Sequence, residues 1–116
     1  MVSVKNLTRN TIIAHNIIVA DTFWARFIGL LSRSAIQENE GLLITRCNSI
    51  HMFFMRFSID VFFVNKNNVV VGLVSNIKPF RLSPMFFEAN YCIEVLPGTI
   101  ARSQTQLNDQ LHISPA

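Results

Sequence analysis

Apolar residues along this chain come in short runs whose spacing switches between a period of two and a period near 3.6. Thr11-Ile12-Ile13-Ala14 and Ile17-Ile18-Val19-Ala20 are β-branched runs parted by the polar pair His15-Asn16, a pattern that predicts two short strands around a turn. Asp21-Thr22 then introduces Phe23, Phe27, Leu30 and Leu31 at helical spacing. Asp21 suits an N-cap, so the main helix is predicted near residues 22–31. Gly29, late in that segment, either permits close packing or helps end the helix.

Beyond the helix the pattern is that of strands and turns. Gln37-Glu38-Asn39-Glu40-Gly41 is a polar turn into a short strand, Leu42-Leu43-Ile44. Ile50 to Val64 reads as extended and buried, and Val69 to Val74 as a second β-branched run. The Asn-rich link between them, Asn65-Lys66-Asn67-Asn68, predicts a hairpin because Asn tolerates positive φ. Ile77 to Asn90, with Pro79, Pro84 and several Phe, predicts an irregular loop folded back over the sheet. Tyr91 to Leu96 is another strand, stopped by Pro97-Gly98. Thr99 is placed to cap a helical turn through Arg102, and Asn108-Asp109 turns into a closing strand, Leu111-His112-Ile113. The fold class is α+β. Short strands linked by hairpins and loops favour mainly antiparallel pairing, curled into a partly closed barrel with one main helix near residues 22–31. Neither a repeat nor a linker divides residues 1–116, which read as a single domain.

Composition narrows the class. Half of the 116 residues are apolar and 10 are Phe, and mean hydropathy is +0.35. No run approaches the roughly 20 apolar residues of a spanning helix, so no membrane span is expected. The start, Met1-Val2-Ser3-Val4-Lys5-Asn6, lacks the layout of a secretory signal, and the expected setting is the cytoplasm. The net charge of +3 comes from scattered basic residues rather than a stripe, so a nucleic-acid partner is not expected. Cys47 and Cys92 are expected to stay reduced. With no CxxC or HExxH, neither a metal nor a cofactor is expected.

The candidate chemistry sits in residues 47–65, an apolar run interrupted by Cys47, His51, Arg56 and Asp60. Burying a charge without a partner costs several kcal/mol, so these residues either pair inside the fold or line a site. Cys47 and His51 would share a face in a strand through Ser49, and would also meet across one helical turn. A thiol beside an imidazole is the minimum for nucleophilic catalysis; a small buried thiol and a His bonded to a backbone carbonyl would look the same in sequence. Arg56 and Asp60, four apart, could form an ion pair, or Asp60 could accept backbone N–H groups. Glu94 likewise interrupts a buried strand. Asp60 and Glu94 could face one another, which would raise one pKa, or each could pair with an Arg.

The chain resembles the domain of unknown function 192 family. The matching residues are Ala20-Asp21-Thr22-Phe23 with Arg26 and Gly29-Leu30-Leu31, then Gly41-Leu42-Leu43 and Cys47-Asn48-Ser49-Ile50-His51. They continue through Phe54-Met55-Arg56-Phe57-Ser58-Ile59-Asp60-Val61-Phe62-Phe63 to Glu94-Val95-Leu96-Pro97-Gly98-Thr99. Ser58 stands where that family usually has Pro, Asn67-Asn68 where it has Asp-Gly, and Leu107-Asn108-Asp109 near its Pro-Gly-Asp, all at turns or strand entries. The resemblance implies a small β-rich fold with a helix and no established activity. The residues support two functions: a non-catalytic module binding a small ligand or a protein or peptide partner beside Cys47, His51, Arg56, Asp60 and Glu94, or a thiol- or metal-dependent enzyme using Cys47 and His51 with Asp60 or Glu94.

Overall fold

Among the described residues, seven strands built from the β-branched and aromatic runs join in one sheet. The computed structural model describes residues 1–20, 37–49 and 57–116. In chain order the elements are β1 (Val2–Asn6), β2 (Thr11–Ala20), β3 (Glu40–Thr45), β4 (Ile59–Val64), β5 (Val70–Ile77), β6 (Tyr91–Val95), a helix α1 (Thr99–Ser103) and β7 (Leu111–Pro115). Their order across the sheet is β5-β4-β6-β3-β2-β1-β7. The two edges then meet at one end. Val69 bridges Gln110, Val70 N–H donates to the Asp109 carbonyl at 2.9 Å and Leu111 N–H to that of Asn68 at 2.8 Å. The sheet is therefore a barrel closed along part of its seam, in an α+β fold as the strand pattern implied.

Pairing is antiparallel except between β2 and β3, which run parallel. The predicted main helix near 22–31 lies outside the described residues; the helix among them is α1. One local expectation changes, and one strand is added. The polar pair His15-Asn16 does not turn the chain, because β2 runs unbroken from Thr11 to Ala20. A register shift there sets Val2 opposite Ile17 but Val4 opposite Ala14, so β2 carries an extra residue. The local signal marks a β-bulge, which leaves two consecutive exposed side chains without ending the strand. The first five-residue strand, β1, had no prediction. Its Val-Ser-Val alternation is too short to stand out, and it is held between β2 and β7.

Two apolar layers follow from the strand parity. The barrel interior collects Val4, Ile13, Ile17, Leu43, Phe62, Val64, Tyr91, Ile93 and Leu111. The outer face of β3, β4 and β6 carries Leu42, Ile44, Ile59, Val61, Phe63 and Cys92. The expected Asn hairpin joins β4 to β5. Asn65 Oδ1 accepts from Asn67 N–H and Val69 N–H at 2.9 and 3.0 Å, and Asn68 adopts φ 63°. Tyr91 Oη donates to Asn68 Oδ1 at 2.8 Å. Burial pushes the Tyr91 phenol well above its ordinary pKa, so it stays a donor.

The loop between β5 and β6 folds back on the outer layer through one residue. The Phe86 ring lies 4.5 Å from that of Phe63 and over Gly72, where a Cβ would fall 2.5 Å from it. Position 72 holds a glycine where the Phe86 ring takes the space a side chain would need.

Candidate functional site

Asp60 is fully buried, and its two oxygens are committed to backbone donors. Oδ1 accepts from Asn76 N–H at 2.8 Å; Oδ2 accepts from Gly98 N–H at 3.1 Å and Ile100 N–H at 2.9 Å. A carboxylate at the start of a helix satisfies N–H groups that have no intrahelical partner. The third donor belongs to Asn76, which adopts φ 51° beside a register shift between β4 and β5. Asp60 thus ties the irregular end of one strand to the first turn of α1. Thr99, expected to cap that turn, instead donates its hydroxyl to the Leu96 carbonyl at 2.6 Å. The N-cap position is Gly98 with φ 95°, a left-handed conformation that suits glycine and supplies no capping side chain.

Asp60 and Glu94 lie on opposite faces of the sheet. Across the β4–β6 pair Asp60 stands opposite Val95, and Val61 opposite Glu94. Because side chains alternate, a carboxylate one step out of register with another projects to the other side. Asp60 shares its parity with the interior residues Phe62 and Val64; Glu94 shares its parity with the outer Cys92. No carboxylate pair forms between them. Glu94, buried between Leu42 and Val61, belongs to the outer layer.

Cys47 is half-buried against that same outer layer. Its Sγ donates to the Ser49 carbonyl at 3.2 Å. Its N–H reaches the Asn90 carbonyl at 3.3 Å, and the Asn48 carbonyl accepts from Phe86 N–H at 2.8 Å. The Cys47–Ser49 segment is therefore clamped to the loop that precedes β6. His51 and Arg56 lie outside the described residues. Of the five residues singled out by the sequence, the described ones divide into Cys47 with Glu94 on the outer face and Asp60 on the inner. Among the described residues no group of three or more His, Cys, Asp or Glu is placed to hold a metal ion.

A second polar centre gave no sequence signal. Asp109, buried at the seam, accepts from Asn6 Nδ2 at 3.0 Å, Arg9 Nε at 3.0 Å and Gln106 N–H at 2.9 Å through Oδ2, and from Arg9 Nη2 at 3.2 Å through Oδ1. Burial alone would raise its pKa; the Arg9, Asn6 and Gln106 hydrogen bonds and the Arg9 charge outweigh it, leaving the carboxyl below its ordinary value. Asn6 Nδ2 also reaches Thr105 Oγ1 at 3.0 Å. Asp109 read locally as a turn residue, and its partners are about a hundred residues away in the chain.

An open cleft of about 140 Å³ lies beside α1, lined by Glu38, Glu40, Leu96, Thr99 and Arg102 among others. No helix among the described residues is long and apolar enough to cross a membrane.

Residues 4–113 match the domain of unknown function 192, described as an uncharacterized ACR. The UPF0127 protein of Pyrococcus furiosus is 36% identical over 109 residues, covering 91% of this chain and 93% of that one. A crystal structure of a protein of unknown function from Novosphingobium aromaticivorans superposes with a TM-score of 0.79 at 19% identity, covering 96% of this chain and 82% of the other. A protein of Sinorhizobium meliloti, proposed to be a transcription regulator, superposes with a TM-score of 0.78, also at 19% identity, covering 96% and 90%. At that identity the two structures share the fold.

Proposed function

The chain belongs to the domain of unknown function 192 family, and from that premise we propose a single-domain, non-catalytic binding or accessory module. Its ligand, a small molecule or a peptide, is received on the outer face beside Cys47 and Glu94, with His51 and Arg56 drawn from the adjoining stretch of chain. One observation carries the reading. The Asp60 carboxylate is consumed by three backbone N–H groups on the opposite face, so it is not available to orient an imidazole beside Cys47. The setting we assign is the cytoplasm, where the Cys47 and Cys92 thiols stay reduced. Nucleic acid is not part of the reading, since the cations are scattered.

A thiol-dependent enzyme is the second reading, and what favours it is that Cys47 and Glu94 share the outer face. Alkylation of Cys47 by iodoacetamide, followed across pH on the full chain, separates the two. A binding module is expected to show a thiol of ordinary acidity, near about 8.5. A profile displaced to about 7 or below would replace the module with the enzyme. A random peptide library selected on the full chain and on Cys47→Trp checks the location. Peptides that bind both proteins equally would remove the ligand from this face.

A further inference from the structure

The loop from Lys78 to Asn90 carries a surface that the outer-face reading does not use. Phe80, Leu82, Met85 and Phe87 are 66%, 67%, 53% and 84% exposed. Water normally drives such side chains inward, at roughly 25 cal/mol for each Å² buried, and Phe86 shows that the loop can meet that demand. Phe86 packs on Phe63 and over Gly72, while Phe87 beside it stands in solvent. The loop is also held. Phe86 N–H donates to Asn48 at 2.8 Å, Ala89 N–H to Phe86 at 2.9 Å and Asn90 N–H to Val64 at 2.8 Å, each to the carbonyl. Pro79 and Pro84 fix two further φ angles. The end of the loop that carries Phe87 is therefore anchored to the body of the fold.

Charge indicates the occupant. The exposed cations Lys78 and Arg81 alternate with Phe80 and Leu82, and the one anion of the loop, Glu88, follows Phe87 near its base. Phe80, Leu82, Met85 and Phe87 are all more than half exposed, which suits a soft apolar medium. Aromatic and aliphatic side chains interleaved with cations match a bilayer interface, where acyl chains lie beneath anionic headgroups. We infer that this loop is a peripheral docking site for an anionic membrane surface, with Phe80, Leu82, Met85 and Phe87 entering the headgroup–acyl boundary and Lys78 and Arg81 meeting the headgroups. The chain lies on the bilayer and does not cross it.

Sedimentation of the full chain with phosphatidylcholine vesicles, with and without phosphatidylglycerol, tests the site. The chain is expected to sediment with the anionic vesicles and to be released by salt, with about tenfold or weaker partition onto the neutral ones. Phe80→Ser with Phe87→Ser is expected to lower partition on the order of a hundredfold while the thermal midpoint stays put. Lys78→Glu with Arg81→Glu should abolish the preference for phosphatidylglycerol. The single variant Phe87→Trp gives a second readout, a blue shift of emission on anionic vesicles. Failure of the parent chain to sediment with anionic vesicles at low salt overturns the proposal, as does an unshifted Trp emission. If the double Phe variant instead converts a dimer into a monomer without vesicles, a second copy of this chain occupies the patch and the membrane assignment falls. None of these readouts depends on Cys47, so they stand or fall separately from the ligand face.

Discussion

The seam around Asp109 and the loop around Phe86 invert each other. At the seam, polar and charged groups are sealed inside; on the loop, large apolar groups stand in water. Asp109 is buried, yet Asn6, Arg9 and Gln106 all donate to its carboxylate. Phe87 is 84% exposed in a loop that had the means to bury it, as Phe86 shows. Asp60 falls in the first class, its oxygens occupied by strand and helix N–H groups. The contrast teaches that polarity in this core is chiefly architectural. A buried polar group whose donors and acceptors are met does structural work, whereas an apolar group left exposed on an anchored segment needs a partner.

The largest effect is expected where that architecture is densest. Asp60→Ala would leave three buried or half-buried backbone N–H groups without their acceptor and detach α1 from β4. At about 1 kcal/mol or more for each orphaned donor, the loss should reach about 3 kcal/mol. Asp60→Asn keeps one acceptor oxygen and should cost less. Urea midpoints of both variants measure this. A loss under about 1 kcal/mol would return Asp60 to the pool of functional residues and break the comparison.

Asp109 comes next, and its effect should depend on pH. Its folded carboxyl is held below the ordinary value by Arg9, Asn6 and Gln106 against the opposing influence of burial. The ionised form is therefore the one that stabilises the fold. That contribution is complete above the unfolded value of about 4 and is lost as pH falls through the lower, folded one. Asp109→Asn should cost about 1–3 kcal/mol at neutral pH, and the gap to the parent should narrow in acid. Equal gaps at both pH values, read from urea midpoints, would mean that the carboxylate charge does not hold the seam.

How far the sequence discloses this molecule depends on the distance over which each signal acts. The β-branched runs, the Asn65–Asn68 hairpin, the partly closed barrel and the irregular Phe-rich loop follow from local period and turn chemistry. His15-Asn16 shows the limit of a local rule, since a turn signature inside a strand paired on both sides becomes a bulge. Thr99 shows another. A cap placed by its neighbours in sequence is supplied by Asp60, 38 and 40 residues before the N–H groups it satisfies. The interruptions in residues 47–65 were visible, but whether Asp60 faced Glu94 turned on a one-residue register between strands that no single strand encodes. The Asp109 centre was silent because every part of it, taken alone, resembles an ordinary turn or surface residue.

The smallest stability effect should come from Gly72→Ala, and it links the loop to the sheet beneath it. The new Cβ would lie 2.5 Å from two atoms of the Phe86 ring and 2.8 Å from a third. The ring must then tilt off Phe63, at a cost of about 1–2 kcal/mol for overpacking a filled site. The four exposed side chains and both cations are untouched by this change. If the loop works because Phe86 anchors it, Gly72→Ala should weaken partition onto anionic vesicles several-fold more than its modest stability loss implies. Sedimentation beside a urea melt reads both quantities on one sample. Unchanged partition with the expected destabilisation would show that exposure alone suffices. Weakened partition would make the half-buried Phe86 the positioning residue for the docking surface, carrying the order of the core out to the loop.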